Sequence, residues 1–332
     1  MGNGVVSFFI PDAQQVALFR DADPDRDWAL FNTGVHVWVG QTYLRLKRAG
    51  HPVTLTASAP SSGIVVTHAD HVAALLRARS LWSHLTIVAA RADRPRQPLA
   101  DVEVVQNARS ADGARAIHIQ HWPQPGLVPR DSRRGDAVEH VAFKGTVGEM
   151  TPEFAAPEWA AALGQQGMAW RCDAVAWGGN TASYATSWND YGDIDVVVAM
   201  RKDVSHLYLK KPASKLINAW LAGVPAILGP EQAYRELRRS DLDYIEVSTA
   251  AEAGQALARL KSDPALYRSM VANGLRRGEE VSAAACSARW ATLLFETLPS
   301  QRAGAPLALA RLARLAWRSL RCRAAYLAGR GR

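Results

Sequence analysis

Hydrophobic positions fall into short apolar runs that alternate with segments of helical periodicity. In the first half, the runs predict strands over 5–10, 53–57, 64–67, 85–90 and 102–106, and the periodic segments predict helices over 36–49 and 71–79. In the second half, they predict strands over 138–143, 168–175, 194–200, 226–228 and 244–247, and helices over 157–163, 212–222 and 283–297, with further helices between the last strand and about residue 281. Strands that alternate with helices predict parallel α/β sheets.

The length of 332 residues favours two domains. A proline-rich segment over 124–130 and a charged run over 131–136 are typical of a linker. We therefore expect a first α/β domain over 1–137 and a second over 138–282, followed by a helix over 283–300 and a basic amphipathic tail over 301–332.

The segment 211–229 carries the clearest candidate chemistry. It predicts a short helix that ends at Gly223, which can take the positive φ of a helix terminus, followed at once by a buried strand. Lys211, Ser214 and Lys215 lie at the start of this helix, where backbone N–H groups and the helix dipole already favour an anion. The alternative is a solvated helix start. The pattern favours a diphosphate site.

This segment, read as Lys215-Leu-Ile-Asn-Ala-Trp-Leu-Ala-Gly-Val-Pro-Ala-Ile, resembles the donor-binding segment of GT-B glycosyltransferases. The turn Ala49-Gly-His-Pro-Val-Thr-Leu resembles one common in their first domain. The resemblance implies two Rossmann-like domains that face a cleft, with a nucleotide-diphosphate sugar held by the second domain and the acceptor presented by the first. It also implies that the helix over 283–300 crosses back onto the first domain. Asn218 stands where family 4 has a glutamate that grips the ribose, and Lys210 stands at the first position of its Glu-x7-Glu pair. An amide can still hydrogen-bond ribose hydroxyls.

Three further places are donor-site candidates. Lys144 and Gly145 follow the first strand of the second domain, where the family places a glycine beside the donor phosphates; the alternative is an ordinary turn. Arg201 and Glu231 follow later strands, and ligands of α/β proteins bind at strand carboxyl ends. A surface salt bridge is the alternative for Arg201.

The first domain offers two candidate catalytic histidines. His68 closes a strand and resembles a strand-end histidine that lies near the donor sugar in retaining GT-B enzymes, and His36 resembles the base of some inverting ones. A structural hydrogen bond is the alternative for either. Asp70 could orient a histidine or act as a base, but we favour a helix N-cap. On the acceptor side, Trp122 could stack on a sugar and Arg130 could bind a charged acceptor. We favour the alternative interpretation, in which this segment is a rigid proline-rich turn.

No metal or cofactor is expected. Asp193 and Asp195 spell the Asp-x-Asp motif of metal-dependent glycosyltransferases, but they precede an apolar run instead of following one, so we expect them at a strand start. No His, Cys and Glu spacing suggests zinc, and no Gly-x-Gly-x-x-Gly follows a strand, which argues against an NAD site.

The charge of the chain is concentrated in its tail. Residues 301–332 hold eight arginines and no acid, which equals the whole formal net charge of +8. The helical spacing places arginines on one face and leucines beside Trp317 on the other, which is typical of a helix that lies on an anionic membrane. A helix packed on the protein body is the alternative. The sequence shows no signal peptide or membrane-spanning run, and its three scattered cysteines favour a reducing compartment.

Together these features predict a cytoplasmic, peripheral membrane glycosyltransferase that makes a cell-surface polysaccharide or glycolipid, without metal and with retention of configuration. Its partners would be a nucleotide sugar, a glycan or lipid-linked acceptor and an anionic membrane surface. Two alternatives stay open: a sugar-nucleotide epimerase of the same fold, and a catalytically inactive GT-B-like binding scaffold, which the Asn218 substitution supports. Nucleic-acid binding is not expected, because the basic tail lacks interleaved aromatic residues on a sheet or groove.

Overall fold

The structure is a computed structural model that describes residues 6–80, 82–175, 187–205 and 208–301, and the single positions 313, 316, 317 and 320. It divides into two compact units. Unit 1 takes its described residues from Met1–Pro24, Thr33–Gln120 and Cys286–Arg332, and unit 2 from Asp25–Asn32 and His121–Ala285. The sequence-based boundary at 137 falls later in the chain than the change of unit after Gln120.

Unit 1 contains a six-stranded parallel sheet. Its strands are β1 (Val6–Phe9), β2 (Val53–Thr56), β3 (Ser62–His68), β4 (His84–Ala90), β5 (Val102–Val105) and β6 (Ala116–His118). The strand order is β2-β1-β3-β4-β5-β6, so the chain moves outward from β1 to β2 and then returns to place β3 on the other side of β1. The order of the sheet therefore reverses between β1 and β3.

Helices cover the sheet of unit 1. They are α1 (Ala13–Phe19), a π-helical segment (His36–Gln41) that continues as α2 (Thr42–Arg48), α3 (Val72–Ala78), α9 (Ala283–Ala291), a second π-helical segment (Thr292–Thr297) and α10 (Leu298–Gln301). Trp290 is fully buried with its ring 6.5 Å from that of Trp38, and Phe295 stacks on His51 at 4.8 Å. The predicted C-terminal helix thus packs onto unit 1 from Cys286 onward.

Unit 2 contains a five-stranded parallel sheet in the order β11-β10-β9-β7-β8. Its strands are β7 (His140–Thr146), β8 (Ala169–Val175), β9 (Val196–Ala199), β10 (Ala226–Leu228) and β11 (Ile245–Glu246). Its helices are α4 (Pro157–Gln165), α5 (Ser214–Ala222), α6 (Gln232–Leu237), α7 (Ala250–Ser262) and α8 (Pro264–Glu280). Here the order reverses between β7 and β9.

Helix α5 is held firmly because α8 packs close against it. Gly274 and Gly278 of α8 face Trp220 and Leu221 of α5, and an added Cβ at either glycine would lie 3.1–3.2 Å from the opposing side chain. The buried Arg277 lies over the Trp220 ring at 4.6 Å. As predicted, α5 ends at Gly223, which has a φ of 69°. The helix starts at Ser214, two residues after the predicted start.

The predicted α/β architecture is confirmed, with two parallel sheets covered by helices. Three short elements were not predicted, namely α1, β6 and α6. The basic tail lies largely outside the described residues; Gln301 ends α10, and the four other described positions, 313, 316, 317 and 320, are helical and exposed. Within the described part of the chain, no helix is long and apolar enough to cross a membrane.

Candidate functional site

The reversal of strand order in unit 2 brings two strand ends together. β7 ends at Thr146 and leads into a turn at Val147–Glu149, while β9 leads through Met200 to Arg201. The guanidinium of Arg201 joins both neighbouring segments, with Nη1 2.9 Å from Glu149 Oε2 and Nε donating to Glu231 Oε2 at 2.9 Å. In open α/β sheets, the carboxyl ends of strands at such a reversal are the usual place for a ligand.

Two lysines complete this group of charges. Lys211 Nζ lies 3.1 Å from Glu149 Oε1. Lys215, the second residue of α5, places its Nζ 5.6 Å from the centre of the Phe143 ring. An added Cβ at Gly145 would lie only 3.3 Å from Lys215 Nζ, so the glycine makes room for this lysine. We call Glu149, Arg201, Lys211, Lys215 and Glu231 the carboxyl-edge cluster.

The carboxyl-edge cluster has an excess of positive charge. Its three cations face two carboxylates, and Arg201 is nearly buried, with 9% of its side chain exposed. Burial, reinforced by the nearby Arg201, lowers the pKa of Lys215. Burial opposes ionisation of Glu149 as well, but the charges of Lys215, Arg201 and Lys211 outweigh it and lower the pKa of Glu149 to about 2. Glu149 is therefore a carboxylate at neutral pH.

The start of α5 adds N–H donors to the same edge. Ala213 occupies the N-cap position and supplies no side-chain hydrogen bond, while α7 and α8 are capped by Thr249 and Asp263. Ser214 is half-buried at the first position of the helix. The N–H groups of the first turn, the lysines and Arg201 thus have the composition of an anion-binding site.

Lys144 and Asn218 form contacts of another kind. Side chains alternate along a strand, so Lys144 points away from the face of Phe143 and Gly145. Its Nζ donates to Asp173 at 2.7 Å and lies 4.9 Å from the centre of the buried Tyr191 ring. Asn218 hydrogen-bonds Tyr191 and accepts the backbone N–H of Gln124 at 2.9 Å. Both predicted donor residues are engaged in contacts within unit 2.

The two predicted acceptor-side residues also point inward. Trp122 is fully buried. Arg130 donates to Asp195 Oδ1 from both Nε, at 3.0 Å, and Nη2, at 2.8 Å, and 6% of its side chain is exposed. Neither side chain is presented to solvent, so their placement agrees with the rigid turn that the sequence analysis preferred.

Asp195 is the centre of a compensated charge group at the opposite end of β9. Its carboxylate accepts hydrogen bonds from Arg130, from Arg134 and from the backbone N–H groups of Glu139 and His140, at 2.7–3.0 Å. We call these residues the amino-edge cluster. The Asp-x-Asp sequence precedes β9, as predicted, and none of the described residues form a group of three or more potential metal-binding side chains.

His68 ends β3, beside the reversal of strand order in unit 1. It is buried, and its Nδ1 accepts the backbone N–H of Asp70 at 3.2 Å, so the neutral ring carries its proton on Nε2. Nε2 is buried with no hydrogen-bond partner among the described residues, and it faces the backbone of Gly34, where an added Cβ would lie 2.9 Å away. Burial lowers the pKa of His68 to about 4. The ring is therefore a neutral donor at neutral pH.

The surroundings of His68 correct one expectation. The Asp70 carboxylate does not cap a helix; it accepts from Arg94 at 2.8 and 2.9 Å and lies 3.3 Å from His68 Nδ1. Asp70 orients the neutral histidine through its backbone N–H, which donates to Nδ1, and not through its carboxylate. His36 follows Gly34 by two residues and packs its ring edge-on against Phe19 at 4.8 Å.

The structure therefore brings together Gly145, Arg201, Lys211, Lys215 and Glu231, with Ser214 at the adjoining helix start. Sequence reasoning missed Glu149, although it lies only four residues after Gly145. The available signal was its place just after β7, at a carboxyl end of the sheet. Its pairing with Arg201 and Lys211 connects residues that are 52 and 62 positions apart in the chain.

No protein-family model matches the chain, and no curated protein matches its sequence. Solved structures do resemble it. Sucrose-phosphate synthase from Thermosynechococcus elongatus aligns with a TM-score of 0.58 and 11% identity, over 90% of this chain and 100% of that chain. HepE from Anabaena, in complex with UDP and glucose, aligns at 0.53 and 13% identity over the same shares of the two chains.

A third similar structure is AviGT4, a glycosyltransferase involved in avilamycin A biosynthesis. It aligns with a TM-score of 0.50 and 16% identity, over 91% of this chain and 99% of that chain. At these identities the similarity concerns the fold, and it confirms the predicted GT-B fold.

Proposed function

We propose that this protein is a glycosyltransferase that moves a sugar from a nucleotide-diphosphate sugar to a glycan or lipid-linked acceptor. The observation that carries the proposal is the carboxyl-edge cluster, an excess of positive charge at the strand-order reversal of unit 2. The similarity to HepE in complex with UDP and glucose supports a uridine nucleotide as the first donor to test.

The chemistry follows from where negative charge grows during the reaction. As the bond between the sugar and the diphosphate breaks, the leaving diphosphate gains charge. Arg201, Lys211 and Lys215, together with the first N–H groups of α5, would stabilise it without a metal ion. A leaving phosphate that takes the acceptor proton allows retention of configuration without an enzyme nucleophile.

His68 supplies a second element of the proposal. Its Nε2–H is a buried donor without a partner among the described residues, held in place by Asp70. An unsatisfied buried donor costs free energy, which a ligand oxygen would recover. We assign it to a hydroxyl of the transferred sugar.

Thermal-shift measurements with UDP-, GDP-, dTDP- and CMP-sugars test the donor class. One nucleotide series should stabilise the protein, by about 2.7 kcal/mol at roughly 100 times the Kd. Turnover then separates the alternatives. A transferase releases the nucleoside diphosphate only when an acceptor is present, an epimerase changes the sugar without release, and an inactive scaffold binds without either. Absence of binding to every nucleotide sugar would contradict the proposal.

The tail would hold the enzyme near a membrane-bound acceptor for polysaccharide or glycolipid synthesis on the cytoplasmic side. Trp317 and Leu320 each expose 62% of their surface, and each arginine of the polar face that lies near anionic lipid would contribute about 1 kcal/mol to binding. The full chain should sediment with phosphatidylserine vesicles and be released by salt, while a chain that ends at Ser300 should stay in solution and still bind donor. Equal sedimentation of the two would show that the tail is not an anchor.

A further inference from the structure

Glu149 is unusual within the carboxyl-edge cluster. Glu231 is buried, with 4% of its side chain exposed, and it binds Arg201 through Nε. Glu149 exposes 27% of its side chain and comes from the turn after β7. Its two carboxylate oxygens each take one cation, Oε2 at 2.9 Å from Arg201 and Oε1 at 3.1 Å from Lys211. A bridging carboxylate of this kind has the shape and charge of a bound anion.

The cations that Glu149 bridges are those that a ligand diphosphate needs. Two anionic groups cannot share Arg201 Nη1 and Lys211 Nζ at hydrogen-bond distance without strong mutual repulsion. Glu149 remains ionised throughout the physiological range, because its pKa is about 2, so protonation does not remove it. A phosphate that enters must therefore displace the carboxylate or bind around it.

We propose that Glu149 is an internal competitor that occupies the anion position of the cluster until a phosphate-bearing ligand displaces it. This rests on the proposed function, since it concerns the same cations. In the unliganded protein Glu149 reduces repulsion among the three cations. On binding, the ligand phosphates take over Arg201 and Lys211, and Glu149 swings out to solvent. Only a ligand whose anionic groups bind Arg201 and Lys211 more favourably than the Glu149 carboxylate does can therefore displace it.

We expect two linked effects of Glu149→Gln, a substitution that keeps the shape of the side chain and removes its charge. The unliganded variant should unfold at a lower temperature than the wild type, because the cations lose their counter-charge. Its affinity for a phosphate ligand should rise by about tenfold, the scale of a charge-assisted contact that no longer has to be broken. A residue that merely orients Arg201 and Lys211 would give a loss of affinity instead.

The experiment is isothermal titration of the full chain with UDP and, separately, with inorganic pyrophosphate. Glu158→Gln is the matched control, because it removes the same charge from an exposed position in the first turn of α4. It should leave both affinities unchanged. Tighter binding of both probes to Glu149→Gln, with the control unchanged, supports the proposal.

The outcomes separate this inference from the proposed function. If the wild type binds UDP and Glu149→Gln binds it equally or more weakly, the competitor role is wrong while the donor assignment stands. If Glu149→Gln gains affinity for pyrophosphate but no nucleotide binds, the competitor role stands and the donor assignment is wrong. If neither probe binds either protein, there is no anion position for Glu149 to fill and the competitor role is overturned; the donor assignment falls with it when no nucleotide sugar of the thermal-shift series binds.

Discussion

The two ends of β9 carry arginine–carboxylate groups that differ in how completely their charges are balanced. At the amino end, Asp195 is fully buried and receives hydrogen bonds from two arginines and two backbone N–H groups. At the carboxyl end, Arg201 belongs to a group in which three cations face two carboxylates, one of them partly exposed. The two ends of β9 thus carry one group whose buried carboxylate is fully hydrogen-bonded and one group in which cations outnumber carboxylates.

This difference indicates that the amino edge of the sheet contributes to stability, whereas the carboxyl edge is suited to binding a ligand. The amino-edge cluster ties the segment 130–140 to the sheet, and its hydrogen bonds satisfy the buried carboxylate. In the carboxyl-edge cluster, the described residues place three cations against two carboxylates, beside the start of α5, which has no side-chain cap. Buried charges that are fully paired serve structure, whereas an unbalanced charge at a strand carboxyl end is available to a ligand.

Loss of Asp195 should have the largest effect on stability of the substitutions at the two ends of β9. Asp195→Asn removes the buried counter-charge of Arg130 and leaves Arg134 with only the exposed Glu139, so we expect the free energy of unfolding to fall by about 3–5 kcal/mol. Urea unfolding measures this. Asp193→Asn, two residues earlier, is the control; its side chain is 52% exposed and pairs with Arg171, so the loss should stay below about 1 kcal/mol. Equal losses in the two variants would remove the distinction between a closed network and a surface pair.

Lowering the pH should destabilise the folded protein, because His68 of unit 1 is buried in its neutral form. Its pKa of about 4 in the folded protein lies below the value of 6.5 for the free side chain, so the unfolded chain binds the proton more readily. The corresponding stability is present in full above pH 6.5 and is lost as the pH falls to 4, by about 3 kcal/mol in total. Burial also lowers the pKa of His71, which adds a loss of the same sign.

His68→Gln should flatten this pH dependence, measured as the unfolding midpoint between pH 7 and pH 4. His84→Gln, at an exposed position, is the control and should retain it. In turnover assays with the donor identified by thermal shift, His68→Gln should reduce kcat far more than donor affinity. A pH profile like that of the wild type, together with normal turnover, would mean that His68 has no special role.

At the carboxyl edge, lysine substitutions should weaken binding and spare the fold. We expect Lys211→Ala and Lys215→Ala each to lower the affinity for the donor nucleotide about 10- to 100-fold, the scale of a lost charge-assisted contact. Isothermal titration measures this. Lys202→Ala removes the same charge from an exposed position beside Arg201 and should have little effect. Unchanged affinity in both cluster variants would contradict the diphosphate assignment.

The smallest expected effect is that of metal removal. Because three cations already face the leaving diphosphate in the proposed mechanism, EDTA should leave turnover unchanged. Asp195 is engaged with Arg130 and Arg134 and cannot serve as a metal ligand without breaking the amino-edge cluster. Loss of activity in EDTA, restored by Mn²⁺, would show that charge at the carboxyl edge is insufficient by itself.

Local sequence patterns were enough to predict several features of the site. These include helix α5 of the segment 211–229, its end at Gly223 and the position of Lys215 on its first turn. Each depends on residues within a few positions of one another. The placement of Asp193 and Asp195 before a strand followed from the apolar run after them. Trp122 could not be placed in this way, because a tryptophan in a proline-rich segment is compatible with either a surface platform or a core position.

The sequence by itself determined the alternation of strands and helices, hence the α/β class, and which cationic side chains stand at strand ends. Only the tertiary structure decided which charges meet. Glu149 binds Arg201 and Lys211, and Arg130 pairs with Asp195, because the order of the strands in the sheet brings distant segments together. Hydrophobic periodicity is a local property of the chain, whereas the pairing of charges depends on strand order and burial, which no local pattern specifies.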